Sequence, residues 1–454
     1  MCLVEAIKQI CSKRPNDKIL VSASSNTAAD LLCQRLSTGD GRLLSTQMFR
    51  LMAERRNVTD VSPFCLDYAR IENNSFQTPE TDEIESYQVV VSTMSTASKL
   101  FNLNVRPGHF NVFVFDESGY TNEPELISTF ASLIHPDVEP QLILAGDPKQ
   151  LSPRSRSTIA NSYGFSQSIL ERFITTVDCY KRDSVLYPQS FGYNTNYITK
   201  LVRCYRCHDD ILKLPNQFFY DNDLIASGNR TILDNFLNIE SDDILPNKNF
   251  PLVFHGSSGE NVREASSPSF FNITECEIVL DYVMKLQENL DKYNITLNDI
   301  GIISPYARQV QKIKKLLTSR GCDAVDVGTC ELYQGKEKKV IIISTVRTST
   351  DYFEYDQRYS LGILNQEKRF NVAVTRAQSL LIVVGDGKTL AHDRHWNTFL
   401  KYCIDHNAYR GIPLPNPLPN PLPKPTSHVN NDDDDDDDNP EIQLVIDPNP
   451  GMVF

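Results

Sequence analysis

An acidic pair at the end of an apolar run is the first place in this sequence where chemistry could occur. Val112–Phe115 has the length of a strand, and Asp116 and Glu117 follow it directly. A carboxylate in this position can hold Mg²⁺, and the neighbouring glutamate can orient and polarise an attacking water, as nucleotide hydrolysis requires. Acidic residues after a strand are also common in turns, so the pair alone leaves both interpretations open.

More polar blocks follow along the chain. The apolar run Leu142–Ala145 continues into Gly146–Leu151, where a glycine turn carries Asp147 and Gln150. Beside the acidic pair, these side chains could sense a γ-phosphate through water, because ligands of open parallel sheets bind beyond the carboxyl ends of the strands. Three further blocks rich in arginine, tyrosine, glutamine and glutamate span residues 201–208, 328–337 and 369–377.

Seven apolar runs rich in valine and isoleucine supply the strands that must position these blocks. Their apolarity is continuous rather than alternating, which is typical of strands buried on both faces of a parallel sheet. Helix-like stretches separate them, and this alternation predicts an α/β fold. The runs are Ile19–Val21, Val89–Val91, Val112–Phe115, Leu142–Leu144, Ile300–Ile303, Val340–Ile343 and Leu381–Val384.

A long interval divides these strands into two groups. It extends from about Leu201 to Ser258, so two α/β lobes fit better than one large sheet. We therefore predict lobe 1 over residues 1–200 and lobe 2 over residues 201–410. Residues 37–86 are polar and irregular, and we predict that they are an insertion in lobe 1.

The segment 411–454 is predicted to be a disordered tail. Residues 413–425 form a proline repeat that must be extended, and seven consecutive aspartates occupy 432–438. Nine acidic residues and one lysine give the tail −8 of the chain's net charge of −13, which leaves −5 for the rest. A body with that charge has no strong bulk attraction for phosphates, so any nucleic-acid binding must come from a local groove.

Taken in order, the blocks resemble the helicase motifs of superfamily 1, in the Up-frameshift-like group, over residues 1–408. The matching segments are 22–30 for motif Ia, 116–119 for motif II, 146–151 for motif III, 329–337 for motif V and 369–377 for motif VI. The resemblance implies two RecA-like P-loop NTPase lobes. ATP and Mg²⁺ would lie in the cleft between them, with a single strand across the top.

The resemblance also implies catalytic roles for five residues. Asp116 would hold Mg²⁺ and Glu117 would activate the attacking water. Gln150 would couple the γ-phosphate to the other lobe. Arg206 and Arg376 would be arginine fingers that reach across the cleft, each worth about 10³–10⁵ in rate in this class of chemistry.

Other residues would bind the nucleotide or the RNA. Tyr205 would stack on adenine, and Glu337, with Gly335 beside it in motif V, would lie near the ribose or phosphates. The candidates for contacts with the single strand are Asn26, Thr27, Thr93 and Thr329. An isolated threonine or asparagine at a strand end also serves as a cap or turn residue, and that alternative stays open for these four.

Further segments narrow the resemblance to the Armitage-type RNA helicases, the group tied to RNA silencing and to resistance against Moloney leukaemia virus. These segments are 196–201, 214–220, 254–256, 263–264 and 267–272. The branch implies 5′-to-3′ movement on single-stranded RNA, partnership with Argonaute-type silencing proteins and a cytoplasmic location, including ribonucleoprotein granules. The motor motifs grip RNA and DNA alike through the backbone, so a DNA helicase of the same superfamily is an alternative.

The motif Cys204–His208 departs from the family's Asn-Tyr-Arg-Ser-His. Cys-x-x-Cys-His is also the attachment signature of c-type haem, but attachment needs an export route and the sequence shows no signal peptide. A zinc site is not favoured, since no second cysteine or histidine pair stands at ligand spacing. We expect both cysteines to be small, nearly inert substitutions, and the eleven cysteines of the chain to be reduced thiols.

A phosphate-binding loop, Gly-x-x-x-x-Gly-Lys-Ser/Thr, does not occur in the 454 residues. In the family, residues like Leu3–Gln9 follow this loop, so we expect lobe 1 to lack the loop and the central strand before it, with unpaired ladder edges. The prediction is an incomplete segment of an ATP-dependent RNA helicase, inactive alone, monomeric and without a membrane span. The alternative is a short, non-catalytic product that binds RNA or a partner.

Overall fold

The computed structural model describes residues 2–422 except 156, 238, 240–242, 264–268, 352–355 and 357–361. One compact unit ends at Pro421. The predicted tail from residue 423 onward lies outside the described residues. Among those that are described, no helix has the length and hydrophobicity needed to cross a bilayer.

Helices and strands alternate along the unit. The helices are α1 Cys2–Lys13, α2 Asn26–Leu36, α3 Pro63–Leu66, α4 Thr81–Ser86, α5 Met94–Ala97, α6 Lys99–Asn102, α7 Glu123–Phe130, α8 Thr158–Ser162, α9 Ile169–Thr176, α10 Asp209–Phe219, α11 Arg230–Leu233, α12 Ile273–Gln287, α13 Ala307–Ser319, α14 Glu367–Val374, α15 Gly387–Leu390 and α16 Arg394–Asp405. Short 3₁₀ turns span Val58–Asp60, Pro188–Ser190 and Leu297–Asp299.

The strands carry the predicted apolar runs. They are β1 Ile19–Ala23, β2 Met48–Arg50, β3 Ile71–Glu72, β4 Ser75–Phe76, β5 Val89–Thr93, β6 Val112–Asp116, β7 Gln141–Leu144, β8 Arg203–Cys204, β9 Ile225–Ala226, β10 Leu252–Gly256, β11 Val262–Arg263, β12 Phe270–Phe271, β13 Ile300–Ile303, β14 Asp326–Gly328, β15 Lys338–Ser344, β16 Ala377–Gly385 and β17 Tyr409–Gly411.

The first sheet is parallel, with the order β2-β5-β1-β6-β7. Every residue of β1 and β5 is buried, as strands covered on both faces require. Helices α1 and α2 cover one face, and α5, α6 and α7 cover the other. Ala23 aligns with Thr93 in β5 and with Asp116 in β6, so the carboxyl ends of these three strands meet at one edge.

Two expectations for this region need correction. Residues 48–50, inside the predicted insertion, form the outer strand β2, because Met48–Arg50 is buried against β5. The expected unpaired ladder inside the sheet is wrong for β6, which bonds β1 on one side and β7 on the other. The exposed edge lies instead on β7, where Leu142 keeps 40% of its surface accessible.

The second sheet is also parallel, with the order β14-β13-β15-β16-β10-β17. Helices α12 and α13 pack on one face, while α10, α14 and α16 pack on the other around the fully buried Trp396. Two parallel sheets layered with helices confirm the predicted α/β class. The predicted lobe boundary at 200/201 comes after β7, the last strand of the first sheet along the chain, and before β10, the first strand of the second sheet. It stays a prediction.

The first part of the proline repeat belongs to the compact unit, so the predicted tail boundary at residue 411 is wrong. Leu414 and Leu418 pack against the second sheet's core, and Leu414 lies over the bare backbone of Gly387. The amide of Asn397 donates to the carbonyl of Pro419 at 3.0 Å. Extended proline segments cannot form a core of their own, but alternate leucines can cover an apolar groove.

A buried carboxyl group stabilises the end of β15. Glu275 on α12 accepts hydrogen bonds from Ser344 Oγ at 2.6 Å and from the backbone N–H of Val346 at 2.9 Å. Val346 has φ 75°, which is strained for a β-branched residue. Burial raises the pKa of Glu275 to about 8, although the donors act in the opposite direction.

This pKa predicts a pH dependence of stability. Between pH 4.5 and about 8 the folded chain keeps a proton on Glu275 that the unfolded chain releases, so the free energy of unfolding falls as pH rises, by up to about 1.4 kcal/mol per pH unit. Urea titrations at pH 5.5, 7 and 8.5 should show this fall, and Glu275→Gln should flatten it. Glu277→Gln, an exposed change on the same helix, is the control; equal slopes in both variants would contradict the assignment.

Candidate nucleotide site

The acidic pair lies at the carboxyl end of β6, at the edge where β1 and β5 also end. The backbone N–H of Glu117 donates to Asp116 Oδ1 at 3.1 Å. Glu117 has φ 55°, a left-handed conformation that costs a non-glycine residue about 1–2 kcal/mol. Burial raises the pKa of both carboxyl groups, and for Glu117 the charge of Asp116 adds to this effect. Backbone strain and buried like charges of this kind cluster at functional sites.

The loops after β6 and β7 are fastened to each other. Both the N–H and the hydroxyl of Ser118 donate to the carbonyl of Ala145, at 2.8 and 2.9 Å. Gly119 and Gly146 lie at the crossing, where a Cβ on either would come within 2.8 Å of backbone atoms of the other loop. Glycine at both positions therefore allows Asp147 and Gln150 to lie beside the acidic pair.

Residues of the second sheet's loops approach the same carboxylate. Gln334 Nε2 donates to Glu117 Oε2 at 3.2 Å. Gly335 has φ 77°, and a Cβ at this position would stand 4.0 Å from Glu117 Oε1. The structure thus brings the predicted residue Gly335 to the predicted residue Glu117, which is 218 positions away in the chain.

A chain of hydrogen bonds links the loop after β7 to α14 and the residues that follow it. Arg376 Nη2 donates to Gln150 Oε1 at 3.1 Å, and Gln150 Nε2 donates to Asp147 Oδ2 at 3.0 Å. The same oxygen accepts from Tyr220 Oη at 2.7 Å, and that hydroxyl accepts from Asn371 Nδ2, also at 2.7 Å. We call these five residues the cross-lobe network.

The network also contacts the loop that follows β7 of the first sheet. Asn371 Nδ2 donates to the carbonyl of Lys149 at 2.9 Å. Arg376 is buried; its Nε donates to the Val372 carbonyl at 3.1 Å, and its Nη1 donates to the Lys336 carbonyl at 3.3 Å. Burial, together with the nearby charge of Arg206, lowers the pKa of Arg376 to about 10, so the guanidinium remains protonated at neutral pH.

The second predicted arginine finger lies near the first. Arg206 Nε donates to Glu337 Oε2 at 2.6 Å, and Gln378 Nε2 donates to Glu337 Oε1 at 3.1 Å. Tyr205, the predicted adenine-stacking residue, keeps 68% of its surface exposed. An exposed aromatic ring beside a carboxylate and a guanidinium group can stack a base and hold a ribose.

An ion cluster spans the same gap between the sheets. Glu331 of the motif V block pairs with Arg154, which follows β7, and with Arg369 of α14 at 3.1 Å. Lys368 on α14 also reaches Glu171 on α9 at 2.9 Å. Together with the cross-lobe network, these pairs make the position of α14 depend on the loop after β7.

The four candidates for RNA contacts differ in their exposure and in their hydrogen-bond partners. Asn26 and Thr27 are exposed at the start of α2, and Asn26 Oδ1 accepts long bonds of 3.4 Å from Arg50 and Arg56. The hydroxyl of Thr93 caps α5 by accepting from the N–H of Thr96 at 3.2 Å. Thr329 is half-buried and bonds Glu331. Thr93 therefore serves as a helix cap, the alternative that the sequence left open, whereas Asn26 and Thr27 are accessible to a ligand.

The acidic pair fits a magnesium ion bound together with a nucleotide. Mg²⁺ is typically held by one or two carboxylates plus phosphate oxygens and water rather than by a cage of protein ligands. Asp116 and Glu117 supply such hard oxygen donors, and no group of three or more metal-binding side chains occurs among the described residues. A divalent cation would also offset the cost of burying two adjacent carboxylates.

Sequence reasoning missed the functional placement of Tyr220 and Asn371. Asn371 lies inside the motif VI block, but nothing in its local pattern shows that its amide bonds a tyrosine 151 residues earlier in the chain. Tyr220 ends an aromatic run, Phe218–Tyr220, in which the two phenylalanines join the apolar core. The local signal for Tyr220 was its position at the end of a helix, where an aromatic residue with a polar hydroxyl group can reach a partner outside the core.

Comparisons with known proteins identify family models and relatives of this chain. Two AAA-domain family models match residues 69–158 and 167–388. The chain is 42% identical to the "Putative helicase MOV-10" of Gallus gallus, over 90% of this chain and 43% of the relative. It is 38% identical to the "RNA helicase Mov10l1" of Homo sapiens and 32% identical to the "Probable RNA helicase armi" of Drosophila melanogaster, each over 91% of this chain and 33% and 36% of the relative. The chain therefore spans between 33% and 43% of the length of these curated relatives.

Proposed function

Because this chain belongs to the Armitage-type branch of the superfamily 1 helicases, we propose that it is the motor segment of an ATP-dependent RNA helicase. The observation that carries the proposal is the cross-lobe network. It connects Gln150, the predicted γ-phosphate sensor, to Arg376, the predicted finger from the other sheet. A phosphate that contacts both residues would couple hydrolysis to movement between the sheets.

The residues have distinct tasks in this mechanism. Asp116 would hold Mg²⁺, which would supply positive charge to offset the charge of the phosphates. Glu117 orients the attacking water, and Arg206 and Arg376 stabilise the charge of the transferring phosphoryl group. Tyr205 stacks on the adenine. The strained φ of Glu117 keeps its carboxylate at the edge of the sheet, near Gln334 and Gly335.

Finer parts of the proposal rest on the resemblance to the Armitage-type branch. We propose 5′-to-3′ movement on single-stranded RNA, as a monomer in the cytoplasm and its ribonucleoprotein granules, within RNA-mediated gene silencing. Argonaute-type proteins are the proposed partners. We also propose that the 454-residue chain alone does not hydrolyse ATP, since its sequence contains no Gly-x-x-x-x-Gly-Lys-Ser/Thr loop for the phosphates.

The test compares two proteins: the 454-residue chain and the full-length product of the native transcript. Phosphate release is measured with single-stranded RNA, with DNA of the same sequence and with no nucleic acid, and Glu117→Gln of the full-length product is the inactive control. Duplexes with only a 5′ or only a 3′ overhang report the direction of movement. We expect RNA-stimulated hydrolysis and unwinding from a 5′ overhang by the full-length product alone.

Each alternative predicts a different result. Stimulation by DNA but not by RNA would identify a DNA helicase. RNA binding without hydrolysis, from a transcript that encodes no phosphate-binding loop, would identify a non-catalytic binding module. Rapid hydrolysis by the 454-residue chain would contradict its proposed inactivity.

A further inference from the structure

Two cysteines flank the predicted nucleotide-contacting residues. Cys204 ends β8, and Cys207 follows Tyr205 and Arg206 in the next turn. The two thiol side chains are hydrogen bonded to each other. Cys207 is buried, with 1% of its surface exposed, and its Sγ also lies 3.4 Å from the Thr375 carbonyl oxygen, an alternative acceptor for its one proton, whereas Cys204 is partly exposed. The Cys204 side chain is therefore partly accessible to small molecules, whereas the Cys207 side chain is enclosed.

The surroundings of Cys204 favour its thiolate. The hydrogen bond from Cys207 and the backbone N–H groups of Cys207 and Arg206 lower the pKa of Cys204 to about 6, although burial opposes them. The bond to Cys204 and burial raise the pKa of Cys207. An accessible thiolate beside a buried thiol is the arrangement of Cys-x-x-Cys redox sites. This arrangement argues against the expectation that Cys204 is inert, which the experiment below tests.

We propose that Cys204 and Cys207 form a reversible dithiol–disulfide site that hydrogen peroxide oxidises. The Cys204 thiolate attacks one peroxide oxygen, and the O–O bond breaks to give a sulfenic acid and hydroxide. The Cys207 sulfur then attacks the sulfenic sulfur, so that the S–S bond forms and the S–O bond breaks. Cys207 loses its proton, and the oxygen leaves as water. Overall, two thiols are oxidised and one peroxide is reduced to two waters.

The disulfide would change the loop that carries Tyr205 and Arg206. Its formation removes the Cys207 proton, for which the Thr375 carbonyl is an alternative acceptor, and closes a covalent ring that contains both residues. The same carbonyl accepts from Arg206 Nη1 at 3.4 Å, and Arg206 Nε donates to Glu337 at 2.6 Å. Oxidation therefore acts on the predicted finger. This consequence rests on the proposed function, whereas the oxidation itself does not.

The experiment uses the 454-residue chain and no nucleotide, so its failure is distinguishable from failure of the helicase assignment. The chain is treated with one equivalent of hydrogen peroxide at pH 7, free thiols are alkylated, and peptides are mapped by mass spectrometry. We expect a disulfide between Cys204 and Cys207 that dithiothreitol reverses. In Cys207→Ser, we expect a sulfenic acid on Cys204 that dimedone traps.

Internal controls come from the same molecule. Cys179 is exposed, and Cys33 and Cys65 are a second hydrogen-bonded thiol pair in which both residues are buried. Cys204 should react with iodoacetamide at pH 7 about ten-fold faster than Cys179, because the hydrogen-bond donors around Cys204 favour its thiolate. Equal rates would overturn the proposal. So would sulfinic acid on Cys204 without a disulfide to Cys207, or a Cys33–Cys65 disulfide that forms just as readily.

Discussion

Replacing Arg376 by lysine is expected to lower the turnover number for ATP hydrolysis by the full-length native product about a thousand-fold. The guanidinium of Arg376 bonds Gln150, the Val372 carbonyl and the Lys336 carbonyl at once. A lysine ammonium is a point charge without this planar fork, so it cannot keep those bonds and also reach a phosphoryl group. Loss of an arginine finger costs about 10³–10⁵ in rate.

The measurement should separate catalysis from folding. Steady-state phosphate release gives kcat and KM, and we expect the loss in kcat, with the KM for ATP changed by less than about five-fold. Arg410→Lys is the matched control, since Arg410 bonds the carbonyls of Asp243 and Ile244, well away from the network. A kcat within three-fold of the unmodified protein would show that Arg376 is not a finger, provided that the unmodified protein hydrolyses ATP.

Replacing Tyr220 by phenylalanine is the second large effect that we expect. The change removes a single oxygen, which donates to Asp147 and accepts from Asn371, both at 2.7 Å. A hydrogen bond to a charged group such as the Asp147 carboxylate contributes about 1.5–3 kcal/mol, so we expect RNA-stimulated turnover to fall about 10- to 100-fold. Since the hydroxyl bonds neither Tyr205 nor Glu337, the predicted contacts of the adenine and the ribose, the KM for ATP should change little.

The same variant has a second readout in the 454-residue chain. Urea unfolding should show a loss of about 1–2 kcal/mol, because the network residues are all present in this chain. Tyr68→Phe is the matched control; its hydroxyl donates to the Leu43 carbonyl at 3.0 Å, within the first sheet's layer. If both variants lose RNA stimulation equally, Tyr220 has no special part in linking the sheets.

Local patterns explain what could be predicted from the sequence. The continuous apolar runs specified seven strands correctly, because strands buried on both faces are apolar at consecutive positions. In β7 the same pattern lies at an exposed edge instead. The three-residue strand β2 was missed, since Met48–Arg50 is too short to stand out among polar neighbours. The placement of Asp116 and Glu117 at a strand end likewise follows from adjacent residues alone.

Long-range contacts explain what could not be predicted. Tyr220 meets Asp147 across 73 positions, and no pattern near either residue specifies that pairing. The docking of Leu414 depends on a groove over Gly387 that exists only after the second sheet has folded. The pairing of Cys204 with Cys207 was visible as a spacing, but the thiolate character of Cys204 depends on backbone amides whose direction only the folded loop provides.

The outer strand β7 also bears on how this chain behaves in solution. Among the described residues, its only strand partner is β6, and Leu142 on it is 40% exposed. An open strand edge with apolar side chains can accept a strand from a second molecule. We therefore expect the purified chain to be monomeric when dilute and to self-associate through this edge as its concentration rises.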